Sequence, residues 1–259
     1  MEEEFHNHMR IPWHDYTRKS IGRPITEASL SEKASIIGRT GIMLLSCGTG
    51  AWRVRSSMNT LARELGITCT ADIGLLSIEY TCIDGGNCYT ESLCLFNTGV
   101  NTSKLYRMEE FVNKFAGNCK KMSGDELHTL LDRIHEIHGF YSPPFLGLAA
   151  AVACCAFTFL LGGGPVEMFC AFLGAGAGNY LRAKMNQHHL TLFLCTAASV
   201  ALACIVYTIA FTALKSGFHV SIHHQAGYIC SMLFIIPGFP FITSGIDLAK
   251  LDMRSGLER

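Results

Sequence analysis

Charge is what this 259-residue chain has least of: Asp, Glu, Lys and Arg make up 16%, against roughly 25% in an ordinary soluble domain. The shortage is local. Up to about Tyr141 the chain is charged and mixed. From Ser142 onward the only acids are Glu167, Asp247, Asp252 and Glu258, and the only strong bases are Arg182, Lys184, Lys215, Lys250, Arg254 and Arg259. Such asymmetry argues for one soluble domain followed by one membrane domain. There is no basic surplus, with 21 basic and 21 acidic residues, so a nucleic-acid partner is not indicated. No secretory leader precedes the soluble half, since residues 1–20 are polar and carry Glu2, Glu3 and Glu4. That half is expected to stay in the cytoplasm.

Other absences narrow the chemistry. The 12 cysteines include no C-x-x-C pair, and Cys154, Cys155, Cys170, Cys195, Cys204 and Cys230 lie in apolar segments. Reduced cysteines acting as small packing groups fit this use. A zinc site from Cys82, Cys88 and a nearby His is an alternative whose spacing matches no common structural motif. His135 and His138 stand three apart around Glu136, where the zinc-hydrolase pattern needs four, and a helix end that tolerates His explains them as well. His6, His8 and His14 could bind metal, but a solvated tail explains them too. No Ser/His/Asp or Cys/His arrangement stands out, so neither catalytic residues nor a cofactor are expected.

What is present begins with a tail, residues 1–28, without apolar periodicity and read as mobile. A cytosolic α+β domain is expected over 29–141. Ser29-x-x-Glu32 is a capping-box signal opening a helix that ends at Gly48 and Gly50. A second helix spans about 51–65, with Val54, Met58, Leu61 and Leu65 at helical spacing and Gly66 as C-cap. Arg53 and Arg55 on its polar face could meet anions. Residues 68–83 alternate as a strand, Asp84-Gly85-Gly86 signals a hairpin, and 88–95 should return as its partner. Helices over 99–118 and from Ser123-Gly-Asp-Glu126 to about 138 complete the domain.

The membrane half is expected to be an α-helical bundle of four spans within 142–259, near 144–161, 165–181, 189–214 and 228–246. Gly162, Gly163 and Gly164 join the first two as a tight hairpin. Gly174, Gly176 and Gly178 place small residues along one face for close helix approach. Asn179, Tyr180 and Arg182 near the inner end could contact solute or lipid headgroups. His219, His223 and His224 fall in an outer loop, where a pH-sensing role is conceivable and a loop without a role is the plainer reading. The inside loops carry the clearer Lys/Arg signal. The last segment is uncharged over 226–246 yet contains Ile235-Ile236-Pro237-Gly238-Phe239-Pro240-Phe241. Prolines inside a helix cost about 3 kcal/mol each and free carbonyls. In lipid, freed backbone groups need protein, water or solute. Broken membrane helices of this kind commonly form the solute site of secondary transporters, which makes Pro237, Gly238, Phe239 and Pro240 the candidate substrate-binding residues. Asp247 and Glu167 are candidates for coupling or gating; Asp247 could equally anchor a helix end.

The chain resembles the threonine/serine exporter (ThrE) family. The resemblance runs from about Ser31 and rests on Gly48-Thr-Gly-Ala-Trp-Arg-Val with Leu61-Ala-Arg-Glu-Leu-Gly66, on Gly99-Val-Asn-Thr-Ser-Lys-Leu105, and on Pro237-Gly-Phe-Pro240 followed by Asp247. It implies a multi-pass inner-membrane exporter with a cytosolic N-terminal domain, exporting hydroxy amino acids or, in split systems, dicarboxylates such as succinate. It also implies a separate small membrane subunit as partner, and leaves oligomerisation open. Two departures stand out. Family members often carry an acidic residue where Thr49 or Gly50 stands. They also usually have a fifth span after the Pro-Gly-x-Pro segment, so this form is expected to be shortened or completed by a partner. The competing readings are a membrane-anchored hydrolase and a metabolite-sensing regulatory protein.

Overall fold

The computed structural model describes residues 11–18, 22–96, 98–118, 121–137, 141–188, 190–218 and 225–259. Over these residues the protein is mostly helical with one small antiparallel sheet. It divides into two units, one comprising Met1–Gly139 and Gly238–Arg259, the other Phe140–Pro237. Residues 238–259 thus belong with the α+β unit, where the sequence suggests a single membrane domain from 142 onward. The physical reason is polar: Asp247, Asp252, Arg254 and Glu258 all find partners among residues 51–75.

The core of the α+β unit is helix α1, Leu30–Ser46, buried without interruption from Glu32 to Leu45. A helix buried all round is a central helix rather than a surface one. Gly41 allows this: a Cβ there would lie 2.7 Å from Met58 Sδ of helix α2, Ala51–Glu64, and 3.3 Å from Ile78 of the sheet. Ser29 caps α1 by accepting from Glu32 N–H at 3.4 Å. The reciprocal half of the expected capping box is missing, because the Glu32 carboxylate turns inward and has no hydrogen-bond partner. Helix α2 ends as Gly66 predicts: Gly66 has φ +70°, and Ile67 N–H donates to Ala62 O at 3.0 Å, the bond of a Schellman turn.

The sheet is a meander of β1 Thr68–Ile73, β2 Ser77–Asp84 and β3 Asn87–Cys94. The stretch 68–83 is therefore two strands, folded back at 74–76, where Gly74 N–H donates to Ser77 O. Gly85 and Gly86 close the β2–β3 hairpin with φ +54° and +92° between the paired Asp84 and Asn87, the geometry a type I′ turn demands. Cys82 pairs with Tyr89, which sends Cys88 to the opposite face. Cys82 is buried and Cys88 exposed, so the sheet does not join them as ligands. Helices α3, Thr102–Asn118, and α4, Gly124–His135, follow. Ser123 and Glu126 form the complete capping box, with Ser123 N–H donating to Glu126 Oε2 at 2.8 Å.

The expected tail looks different over the described residues 11–18 and 22–28. Trp13–Thr17 and Ile25–Glu27 form single 3-10 turns, and Thr17 and Ile25 are buried. His6, His8, His138, His219, His223 and His224 lie outside the described residues. No group of three or more His, Cys, Asp or Glu is placed to hold a metal ion among those that are described.

The second unit is built from α5 Pro143–Leu160, α6 Pro165–Gln187, α7 Leu192–Phe218 and the short α8 Gln225–Cys230. Gly162, at φ +82°, turns the tight hairpin between α5 and α6. The small-residue face of α6 is used for packing. A Cβ on Gly174 would lie 2.8 Å from Ala203 O, and one on Gly178 would lie 2.8 Å from Ser199 O. Backbone therefore approaches backbone between α6 and α7, as membrane helices do through small residues. Phe145, Leu148, Val152, Phe159, Phe193 and Ile209 face outward, an apolar exterior that suits lipid rather than water. Among the described residues two helices are long and apolar enough to cross a membrane, Pro143–Leu160 and Leu192–Ser216. The count rises to three if the interrupted pair Ala226–Ile235 and Gly238–Ala249 is one span.

Candidate functional site

The prolines interrupt the last apolar run as their chemistry requires. After α8 comes a 3-10 turn, Leu233–Ile235, and Ile236 is extended at φ −64°, ψ 119°. Helix α9, Gly238–Ala249, then begins. Pro237 lies in the break and Pro240 in the first turn of α9. The first amides of a helix have no intrahelical acceptor, so Pro240 removes no ladder bond. The interruption therefore avoids the cost of an interior proline. Within the second unit, Arg182 donates to the Phe234 carbonyl at 3.3 Å, and Asn179 donates to Leu146 O at 2.8 Å. Both side chains satisfy helix carbonyls, which backbone in an apolar surround needs.

Of the four candidate substrate residues, Pro237 and Gly238 are exposed and Phe239 and Pro240 half-buried. Phe239 packs on the core of the α+β unit. With Trp52, Thr243, Ile246 and Asp247 it lines a small cavity of about 190 Å³.

Asp247, on α9, is fully buried. Its Oδ2 accepts from Ala51 N–H at 2.9 Å and its Oδ1 from Trp52 N–H at 3.2 Å. Ser255 Oγ donates to Oδ2 at 3.2 Å, and Arg259 Nε lies 3.6 Å away. A carboxylate at a helix N-terminus satisfies orphan amides and complements the macrodipole. Here the acceptor comes from 196 residues away, because the local N-cap position is Gly50, which has no side chain to offer. Gly50 must also be small: a Cβ there would lie 2.7 Å from Asp247 Oδ1. Gly48, at φ +78°, presents its carbonyl to Arg259 Nη1 at 3.1 Å. Gly48-Thr-Gly-Ala-Trp and the segment following Pro237-Gly-Phe-Pro240, far apart in the chain, thus form one hydrogen-bonded unit.

Glu167 sits in the first turn of α6 and is almost fully buried. Its Oε2 accepts from Gly164 N–H at 2.9 Å, capping its own helix, while Oε1 has no hydrogen-bond partner. Gly227 of α8 lies against it, such that an added Cβ would stand 2.8 Å from Glu167 Cβ and 2.6 Å from the Tyr207 hydroxyl. The carboxylate is thus enclosed where α6, α7 and α8 meet. Arg53 and Arg55, considered above as anion contacts, are instead paired: Arg53 with Glu109 at 2.5 Å, and Arg55 with Asp252 at 2.5 Å.

A second polar cluster in the α+β unit carries no motif. The His14 ring bridges two carboxylates, Nδ1 to Asp125 at 2.6 Å and Nε2 to Asp132 at 2.8 Å. Those bonds, Asp125 first, hold the His14 pKa above the ordinary imidazole value. Beneath it, His128 is fully buried. Burial first, then the Arg39 charge, pushes His128 down to about 3. Its bonds agree with a neutral ring. Arg39 Nη1, 3.2 Å away, can only donate to Nδ1. Ser35 Oγ already donates to Glu32 O, and so accepts from Nε2–H. Arg39 Nη2 also pairs with Asp132. Burial works against ionisation of Asp132, but the Arg39 and His14 hydrogen bonds win and lower its pKa.

Two links were not readable from the sequence. The Asp247–Ala51 link leaves one indirect trace, a helix whose N-cap position is Gly50 rather than Ser, Thr, Asp or Asn. For the His14 cluster there was none, since its members are scattered over 118 positions.

Residues 35–259 match the family model described as "Putative threonine/serine exporter" (ThrE). A curated relative, the "Probable succinate transporter subunit YjjP" of Escherichia coli (strain K12), is 23% identical over 223 residues, covering 85% of this chain and 83% of the relative. No solved structure matches.

Proposed function

This chain belongs to the threonine/serine exporter (ThrE) family, and from that premise we propose that it is one subunit of a secondary-active exporter of small carboxylate-bearing metabolites. Membership makes it a membrane transport protein rather than an enzyme, which leaves the hydrolase reading without support. The solute class is threonine and serine or a succinate-like dicarboxylate; the family description favours the first and the relative's name the second.

The observation that carries the reading is the interrupted apolar run, with a new helix starting at Gly238. Helix N-termini hold unpaired amides and partial positive charge, which suits a solute carboxylate. We assign Pro237, Gly238, Phe239 and Pro240 to solute binding. Glu167, buried with one carboxylate oxygen unpartnered, is assigned to proton coupling or gating, since an ionisable group enclosed among membrane helices is by default functional. Asp247 is assigned first to positioning, because its oxygens already accept from Ala51, Trp52 and Ser255; coupling is the role it would hold otherwise.

In this reading the apolar helices within 143–237 lie in an inner membrane, the α+β unit with residues 238–259 is cytoplasmic, and a separate small membrane subunit completes the transport path. The relative's description as a subunit supports that partner. The test replaces Pro237 and Pro240 together with Ala in cells carrying both subunits. Loss of efflux with the protein still in the membrane is the expected result; unchanged efflux places the solute elsewhere.

A further inference from the structure

The α+β unit contains a cavity of about 740 Å³ that no part of the transport reading uses. Its volume falls inside the roughly 300–1,000 Å³ of small-molecule sites. One wall is apolar and includes Trp13, Met43 and Phe96. Among the described residues the titratable side chains on the lining are Arg39, Cys94, Lys104 and His135, with neither Asp nor Glu. The Arg and Lys cations are not equivalent. Arg39 is neutralised by Asp132. Lys104 is half-buried in the first turn of α3 and forms no ion pair among the described residues. Asn101 also lines the cavity and caps α3, its Oδ1 accepting from Lys104 N–H at 3.0 Å. The first turn of a 17-residue helix and a lysine without an ion pair among the described residues therefore line the same cavity.

We propose that this cavity is a binding site for a small organic anion with an apolar body, a carboxylate whose head meets Lys104 and whose tail lies on Trp13, Met43 and Phe96. The wall selects against small polar dicarboxylates, which would leave it unfilled, so the ligand is of a different class from the exported solute. A free cation would meet the Lys104 ammonium there and no carboxylate among the described lining residues. The site lies in the α+β unit and does not depend on the exporter reading being correct.

The test uses the full chain in lipid nanodiscs and a pair of probes that share a body and differ in head charge, 4-phenylbutyrate and 4-phenylbutylamine. Binding is measured by titration calorimetry, with empty nanodiscs subtracted. The site predicts saturable 4-phenylbutyrate binding with Kd of about 1 mM or tighter, as expected for a ligand of this size. The amine should bind at least about tenfold more weakly, and Lys104→Glu should weaken the carboxylate by at least about tenfold. Lys104 is partly exposed and has no ion pair among the described residues, so the variant should fold; its melting curve checks this. Lys104→Gln, which removes the charge without reversing it, should fall between wild type and Lys104→Glu. Absence of saturation, equal affinity for the amine, or binding indifferent to both Lys104 variants overturns the proposal.

Discussion

Removing the Asp247 carboxylate is expected to unfasten the start of α2. In Asp247→Ala the Ala51 and Trp52 amides lose their acceptor, a cap worth about 1 kcal/mol. The larger effect comes from Arg259, whose side chain is 4% exposed and stands 3.6 Å from Asp247 Oδ2. Taking one partner from a buried pair costs about 3–5 kcal/mol, because the other charge is left uncompensated. The two costs overlap, so the variant should lose about 3–5 kcal/mol in all. Asp247→Asn keeps one oxygen for a helix amide and should lose less. Combining Asp247→Asn with Arg259→Gln should recover part of that loss, since removing both charges leaves neither stranded. The assay is urea unfolding of the full chain in nanodiscs, followed through the fluorescence of Trp52, which adjoins the carboxylate. If Asp247→Ala unfolds at the wild-type urea concentration, the positioning role is refuted. If in addition the folded variant fails to export, Asp247 acts in coupling.

Other consequences concern packing, pH and coupling. Gly174→Ala places a methyl 2.8 Å from the Ala203 carbonyl, an overpacking that should cost about 1–3 kcal/mol; a melting curve matching wild type contradicts the close α6–α7 approach. The two histidines bias the α+β unit in opposite directions. The contribution of His14, with its raised pKa, is full below about pH 6.5 and is lost as pH rises through its folded value. The contribution of His128, depressed to about 3, is present above about pH 6.5 and is lost as pH falls, at up to about 1.4 kcal/mol per unit. Stability should therefore peak near pH 6–7 by about that slope on the acid side, and His14→Gln should flatten only the alkaline limb. A urea midpoint that climbs steadily to pH 8 in both proteins contradicts this. Glu167→Gln keeps an acceptor for Gly164 N–H but removes the proton site, so efflux should fall at least about tenfold with little change in melting; full efflux in the variant assigns Glu167 to capping alone.

Local rules explain what could be read in advance. Ser123 and Glu126 form their capping box, Gly66 ends α2 at positive φ, and Gly85-Gly86 turns the hairpin; in each the signal and the structure lie within a few residues. Long uncharged apolar runs located the helices of the second unit, and the small residues of α6 fall where backbones approach. Competition between local and distant partners explains what was not legible. Glu32 has the capping-box spacing, yet it is drawn into the core with the rest of α1. The bend at 74–76 carries one glycine and two leucines, too little turn chemistry to divide an alternating stretch. Residues 226–246 are uncharged and read as membrane, but Asp247, Arg254 and Glu258 just behind them pair with residues 51–75, and composition does not record who pairs with whom. The candidate site divides the same way: proline chemistry pointed to the break at 236–238, while the burial of Asp247 beneath Gly50 is visible only in three dimensions.

The central claim, that this chain exports a carboxylate-bearing solute, is tested most directly by efflux from loaded cells. Cells lacking the chain are loaded with succinate or with a threonine- or serine-containing dipeptide, then compared with and without this chain and a candidate small membrane subunit. The account predicts faster efflux of at least one of these solutes only when both subunits are present, and its loss when Pro237 and Pro240 become Ala. Unchanged efflux of every tested solute, with both proteins confirmed in the membrane, contradicts it.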